Sequence, residues 1–459
     1  MRYDLGIANA TVVLPTGKAK LDIGIIAGRI ALLGDSGTVR ADEIIDAAGL
    51  TALPGAIDMH VHFRDPGATH KEDFVHGTAA AACGGVTTVC DMPNTKPSVV
   101  SARDYALKLS TISGSAHVDY GLWAGGTAID EFAEMRDLGA VGLKVYMNRA
   151  PAGSQSYTSE LSMPDDETFI EVLRKTAELQ WCVSVHVQSP DIDEALKRTM
   201  RVGGRRDPRD VCEMTRSPES AEAQARLLRF AEITRARVHI AHISFNSIEA
   251  LNDFEVARGN GSMATAEVVP PCLSFDDLKR QGTFGIPFAH SNDHIECYWD
   301  ALRNGVIDVV ATDHAPHTLS EKMKGEHDAW DAPSGYPGVE TMLPLLIDAT
   351  LRNKLSFERL AQVTSENPAK ICGFARKGVI ALGKDADIVL IDPAQEWIVD
   401  QRQLHSKAGW SPFHGRRLRG RICNVLLRGN EISRNGELLS SIQNGQNVIP
   451  SGDNRPVVR

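Results

Sequence analysis

Long apolar runs are missing from this sequence, so no segment is suited to spanning a bilayer. Paired cysteines are missing too. The eight cysteines, at 83, 90, 182, 212, 272, 297, 372 and 423, are scattered and form no C-x-x-C pair. Several lie in apolar runs, such as Cys182 in WCVSV and Cys423 in RICNVLL, which suits reduced, buried thiols in a cytoplasmic protein. The opening stretch MRYDLGIANATVVL carries Asp4 and lacks the basic-then-apolar layout of a secretory leader. There is no excess of positive charge. The formal net charge is -10, which would repel nucleic acid and anionic lipid, so neither is expected as a partner. No Gly-rich dinucleotide fingerprint follows a strand, which ranks an open doubly wound sheet second. Internal repeats and low-complexity tracts are also absent.

What is there suits a soluble α/β protein. The chain has 459 residues, 42% hydrophobic and 24% charged, enough for a large barrel with a smaller accessory domain. The N-terminal runs LGIANATVVLP, DIGIIAGRIALLG and EIIDAAG read as strands broken by Gly, Pro and Asp. DADIVLIDP and RICNVLLRGNEI repeat that texture near the other end. A small β-sandwich domain is therefore expected from residues 1–53 and 375–459. Residues 54–374 read differently. Apolar strands such as TALPGAIDMHVH, VGLKVYM, CVSVHVQ, RVHIAHIS and VIDVVATDHAPH alternate with helical stretches such as MPDDETFIEVLRKTAELQ and SPESAEAQARLLRFAEITRA. Such alternation implies a parallel sheet closed as a TIM-type (β/α)8 barrel. The polar segment 318–338 follows a strand end, where it could form a lid. The tail NGQNVIPSGDNRPVVR lacks periodicity and is expected to be extended or poorly ordered.

The chemistry concentrates at strand ends. His60 and His62 flank Val61, so on a strand their imidazoles project to one side. That end of a barrel strand is the catalytic face, and neutral imidazole suits zinc. One H-x-H pair is a weak signal, but the pattern recurs. His186 ends CVSVHV, His242 ends RVHIAHI and Asp313 ends VIDVVATD. Lys144 lies inside VGLKVYM, where a buried ammonium needs a partner or must be neutralised. A salt bridge is one resolution; carboxylation by carbon dioxide is another. His239, three before His242, is expected to face the other way. His314 is expected to orient a neighbour, and His405 is read as an ordinary polar histidine.

The strings DMHVHFRDPG, THKEDF, GGVTTVCDMPNTKP, ATDHAPHT, PGVETMLPLL and SENPAK resemble the amidohydrolase superfamily. Within it they are similar to the cyclic amidohydrolases, and closest to dihydroorotase, with hydantoinase and allantoinase as relatives. The resemblance implies two divalent metal ions, expected to be zinc. His60, His62 and Asp313 would bind one, His186 and His242 the other, and carboxylated Lys144 would bridge them. Asp313 would move the proton. Arg64, Asn94 and His317 would anchor a carboxylate-bearing cyclic amide, as in pyrimidine biosynthesis. Homodimers or homotetramers are the assemblies implied. The chain also departs from the dihydroorotase pattern. Pro271 and Cys272 stand where two histidines are common, Ile286 and His290 replace an Asn and an Arg, and Gln188 replaces an acid. These changes leave the ligand set intact and alter the pocket around the ring, so another cyclic ureide, imide or lactam is the rival substrate.

Overall fold

The computed structural model describes residues 2–147, 159–163, 165–215, 221–243, 249–273, 282–285, 292–439 and 443–451. Its centre is a ring of parallel strands. In chain order they are Ala56–Val61, Val86–Asp91, Asp119–Leu122 continued by Ala124–Gly125, Leu143–Tyr146, Cys182–His186, Arg237–Ile240, Thr265–Val268 and Val309–Val310. We number these barrel strands one to eight. Neighbours pair in parallel around the ring. All six residues of strand one and all six of strand two are buried. Burial on both faces explains why these segments read as continuous apolar runs and not as alternating ones.

Two devices complete the ring. Strand three changes partner midway: the Trp123 N–H donates to Asp91 O at 3.0 Å, and the Ala124 N–H to Gly142 O at 3.0 Å. Between strands eight and one, the His62 N–H donates to His314 O at 2.7 Å, and Val61 bridges His314 in parallel. The buried Asp58 carboxylate reinforces this seam. It accepts the Thr312 N–H at 3.1 Å and the Thr312 hydroxyl at 2.5 Å.

Helices cover the strands. Asp166–Glu178 fills the expected helical stretch, buries Phe169, Val172, Leu173 and Thr176, and is capped by Asp165, which accepts the Thr168 N–H. The spacing of those buried positions is that of one helical face. Phe74–Cys83 is alanine-rich, and eight of its residues are buried. Ala221–Thr234 forms as expected; the Ser and Pro proposed to start it lie outside the described residues. Among the described residues no helix is long and apolar enough to cross a membrane.

A nine-stranded sheet flanks the barrel. Tyr3–Leu14, Gly17–Ile26, Arg29–Asp35, Ala41–Asp46 and Thr51–Pro54 come from the start of the chain. Ile388–Ile398, Arg417–Leu427, Asn430–Arg434 and Glu437–Leu438 come from its later part. The two groups meet where Thr51–Pro54 pairs antiparallel with Ile388–Ile398, Leu53 opposite Val389. Ile7, Val12, Ile23 and Ile25 pack with Ile388, Leu390 and Leu426 in one core. The β-structure expected from both ends is therefore a single body. Residues 443–451 of the tail run along strand three, the Val448 N–H donating to Tyr120 O at 2.7 Å, and the rest of the tail lies outside the described residues.

Segment 318–338 is tied down. Thr318 and Glu321 form a capping box for Leu319–Lys322. The buried Lys322 ammonium donates to Pro333 O at 2.7 Å and Gly335 O at 3.2 Å. The Trp330 indole donates to Arg205 O at 2.9 Å, and Asp328 pairs with Arg201 at 2.8 Å.

Candidate active site

Strand one aims Asp58, His60 and His62 along the barrel axis. Asp58 serves the seam; the two imidazoles rise above it. Asp313 follows strand eight and meets both. One of its oxygens lies 3.3 Å from His60 Nε2 and 3.0 Å from His62 Nε2. The three residues offer ligand atoms that all lie within 4.8 Å of one another. Burial pushes the Asp313 carboxyl up, but His60, His62 and His242 outweigh it and hold the group well below the ordinary carboxylate range. Burial draws His62 down to about 4 against the pull of Asp313. These are the protonation states that a cation requires: an ionised carboxylate and a neutral imidazole.

The second group lies on strands four and five and just past strand six. His186 ends strand five, and its Nδ1 is 2.9 Å from His242 Nε2. Burial and then Lys144 draw His186 down to about 3. The His60 and His242 ring centroids are 5.7 Å apart, so the two groups adjoin. Lys144 is fully buried on strand four, and its Nζ has no hydrogen-bond partner among the described residues. Burial lowers it to about 8, with Glu267 and Asp313 pulling the other way. An orphaned buried amine among neutral imidazoles and a carboxylate is what a site for divalent cations needs: donors of the right chemistry and one group still to be satisfied.

Backbone conformation sets much of this. Arg64, His242 and Asp313 adopt φ of 61°, 39° and 49°. For non-glycine residues such left-handed conformations cost on the order of 1–3 kcal/mol each and cluster at functional sites. At His242 the turn also overrides strand alternation. Strand six ends at Ile240, so His239 does not face away as expected. It is buried, with Nδ1 2.9 Å from Thr265 Oγ1 and Nε2 3.0 Å from Glu267 Oε2.

Glu267 is the site residue that sequence reasoning missed. It lies on strand seven and is fully buried. Its Oε1 is 2.5 Å from His60 Nδ1 and accepts the His242 N–H at 3.1 Å. Burial pushes its carboxyl up, but His60 and His239 win and hold it well below the ordinary range. A carboxylate behind a histidine fixes the ring and makes its outward nitrogen a better donor. An acid inside the apolar string ATAEVV was the available signal. Asn94 has a similar place: its Oδ1 is 2.6 Å from His62 Nδ1. Gln188, at the position where an acid is usual, lies 3.2 Å from His186 Nε2.

The mouth is cationic. Arg64 and His317 are buried, and Lys71 Nζ lies 3.2 Å from His317 Nδ1 and 2.9 Å from Glu321. Burial, then Arg64, Lys71 and Lys322, push His317 well below its ordinary value. Glu72 accepts the Ser406 hydroxyl at 2.5 Å and faces His314 Nε2 at 3.3 Å. His314 orients a neighbour, as expected: its Nδ1 accepts the Gly338 N–H at 3.0 Å. Gly335 has φ 123°, and a Cβ there would collide with Ala315 O. Pro271 and Cys272 are buried in the turn Pro270–Leu273. Ile286 and His290 lie outside the described residues.

This arrangement of ligands on a parallel barrel defines a class. The chain matches the amidohydrolase family over residues 51–432 and belongs to it. It is 34% identical to an allantoinase of Rubrobacter xylanophilus over 446 residues, covering 95% of this chain and 96% of that one. It is 38% identical to a dihydroorotase of Halobacterium salinarum over 410 residues, covering 88% and 91%. The L-hydantoinase (dihydropyrimidinase) of Arthrobacter aurescens superposes with a TM-score of 0.92 at 29% identity, covering 97% of this chain and all of that one. The expected TIM-type barrel and membership of the cyclic amidohydrolases are thus borne out, and the chain is an enzyme of that kind. The relatives divide between allantoinase and dihydroorotase and favour neither.

Proposed function

We propose that this enzyme hydrolyses the C–N bond of a cyclic ureide bearing a carboxylate, with dihydroorotate the leading substrate and N-carbamoyl aspartate its product. The observation that carries this reading is the pair of buried cationic side chains Arg64 and Lys71, with the neutral His317 beside Lys71, above the ligand group. A guanidinium binds a carboxylate through two parallel hydrogen bonds, which a ring without a carboxylate does not offer. Allantoin or a hydantoin is the second reading. Pro271 and Cys272 in place of histidines, and the long match to an allantoinase, support it.

His60, His62 and Asp313 would hold one divalent cation, His186 and His242 a second, with zinc the proposed metal. Lys144 would join them as a carbamate: its neutral amine adds to carbon dioxide and releases one proton, leaving an anion where an orphaned nitrogen now lies. Two such cations would acidify a water and polarise the ring carbonyl. The chain does the rest. Asp313 accepts a proton from the attacking water and delivers it to the ring nitrogen as the C–N bond breaks, because an unprotonated amide nitrogen leaves poorly. Glu267 and Asn94 hold the His60 and His62 rings. Arg64 and His317 grip the substrate. Residues 54–374 would form the catalytic unit, working as a homodimer or homotetramer.

Steady-state turnover of L-dihydroorotate, allantoin, hydantoin and dihydrouracil by enzyme loaded with zinc and bicarbonate tests the proposal. Dihydroorotate should have the largest kcat/KM. Turnover of allantoin alone would transfer the same chemistry to the second reading.

A further inference from the structure

A second group of ligand-type side chains lies away from the barrel axis. Cys83 ends the helix Phe74–Cys83, Glu340 precedes the helix Met342–Leu351, and His405 lies in the excursion between Ile388–Ile398 and Arg417–Leu427. The ligand atoms of the three all lie within 4.8 Å of one another. Cys83 Sγ is 3.7 Å from His405 Nε2. On the far side of the ring, Nδ1 is 2.9 Å from Glu340 Oε1, and the His405 N–H donates to Glu340 Oε2 at 2.8 Å. One carboxylate oxygen therefore holds the imidazole and the other the backbone of the same residue, with the ring's other nitrogen turned toward a thiol.

Carboxylate, histidine and open nitrogen in line is the arrangement that supports metal-bound imidazole. The spacing also fits. Tetrahedral zinc at about 2.3 Å from sulfur and about 2.0 Å from nitrogen separates those two donors by about 3.5 Å. Access is available, since 27% of the His405 side chain is exposed while Glu340 is only 11% exposed. We propose that Cys83 and His405, oriented by Glu340, form a second cation site selective for soft or borderline divalent ions such as zinc and cadmium. The thiol proton and any proton on the imidazole leave to solvent when the ion binds. The ion would staple the excursion to the barrel helices. Ser406, next in sequence, already bonds Glu72, which faces the buried His314.

The probe is cadmium, added to enzyme already carrying its barrel metals. Cadmium bound to a thiolate absorbs in the ultraviolet, whereas the barrel ligands supply only nitrogen and oxygen. We expect one further equivalent of cadmium per chain, the thiolate band, and a higher thermal midpoint. Cys83→Ser should abolish the band, and His405→Gln should weaken uptake at least tenfold. Both variants should keep basal turnover within about twofold, and Cys297→Ser, at an exposed cysteine, should behave as wild type. A wild-type protein without the band, or a band that persists undiminished in Cys83→Ser, would overturn the site. Should Cys83→Ser fail to fold, an unchanged cadmium affinity in His405→Gln would overturn it equally.

Discussion

The floor of the pocket and its mouth are built from different material. On the floor, the ligand-type side chains sit on or just beyond strands, and several have a second partner below: Glu267 under His60, Asn94 beside His62, Gln188 beside His186. At the mouth, Arg64, Lys71 and His317 hang on loops and answer to one another's charge. Strands fix positions to a fraction of an ångström through their neighbours, whereas loops can be rebuilt without disturbing the ring. One reaction can therefore persist while the ring it acts on changes. This is how relatives named allantoinase and dihydroorotase can match the chain over most of its length.

The largest test breaks the floor. Asp313→Asn should lower kcat by roughly 10²- to 10⁴-fold, the range for a positioned acid–base group. Single-turnover and steady-state rates would measure it, and a loss below tenfold would remove Asp313 from proton transfer. Glu267→Gln comes next. Weakening the carboxylate behind His60 should cost about 10- to 100-fold in metal affinity or activity. Metal content by mass spectrometry, read beside kcat, separates the two.

The mouth should respond differently. Arg64→Ala removes a charge-assisted bond of about 1.5–3 kcal/mol. Its kcat/KM for dihydroorotate should fall roughly ten- to a hundredfold, while hydantoin, which has no carboxylate, should change little. An equal loss on both rings would erase the distinction between floor and mouth.

The last effect is on stability and not on turnover. In metal-free protein, burial holds His62 and His186 below their ordinary value of 6.5, at about 4 and about 3, and holds His242 well below it. Between pH 6.5 and 4 the unfolded chain binds protons that the folded one refuses, so stability falls as pH falls. Asp58, pushed up by burial to about 7, works the other way with one proton. Two net protons make the fall at most about 3 kcal/mol per pH unit, and urea midpoints would measure it. A midpoint that rises on acidification would show those imidazoles charged in the fold.

Much of the floor was legible in the sequence. His60-Val61-His62, His186 and Asp313 close apolar runs, and Lys144 interrupts one; strand periodicity and burial cost are enough to single them out. Glu267 obeys the same logic as Lys144, yet one acid in a strand reads as a solvent-facing residue until its neighbours are known. His239 was misread because alternation was carried past Ile240, where the backbone turns left-handed at His242. No side-chain pattern encodes that φ, nor those of Arg64 and Asp313. The Cys83, Glu340 and His405 group was illegible for another reason: its members are far apart in sequence, and the fold alone makes them neighbours.

The flanking sheet has a consequence for how the molecule is made. Thr51–Pro54 pairs on one side with Tyr3–Leu14 and on the other with Ile388–Ile398, so on a ribosome the early strands emerge with that second edge bare. They wait through synthesis of the whole barrel. A bare, apolar edge invites other chains. Nascent chains halted before Ile388 are therefore the aggregation hazard of this protein, and release of its last strands ends that exposure.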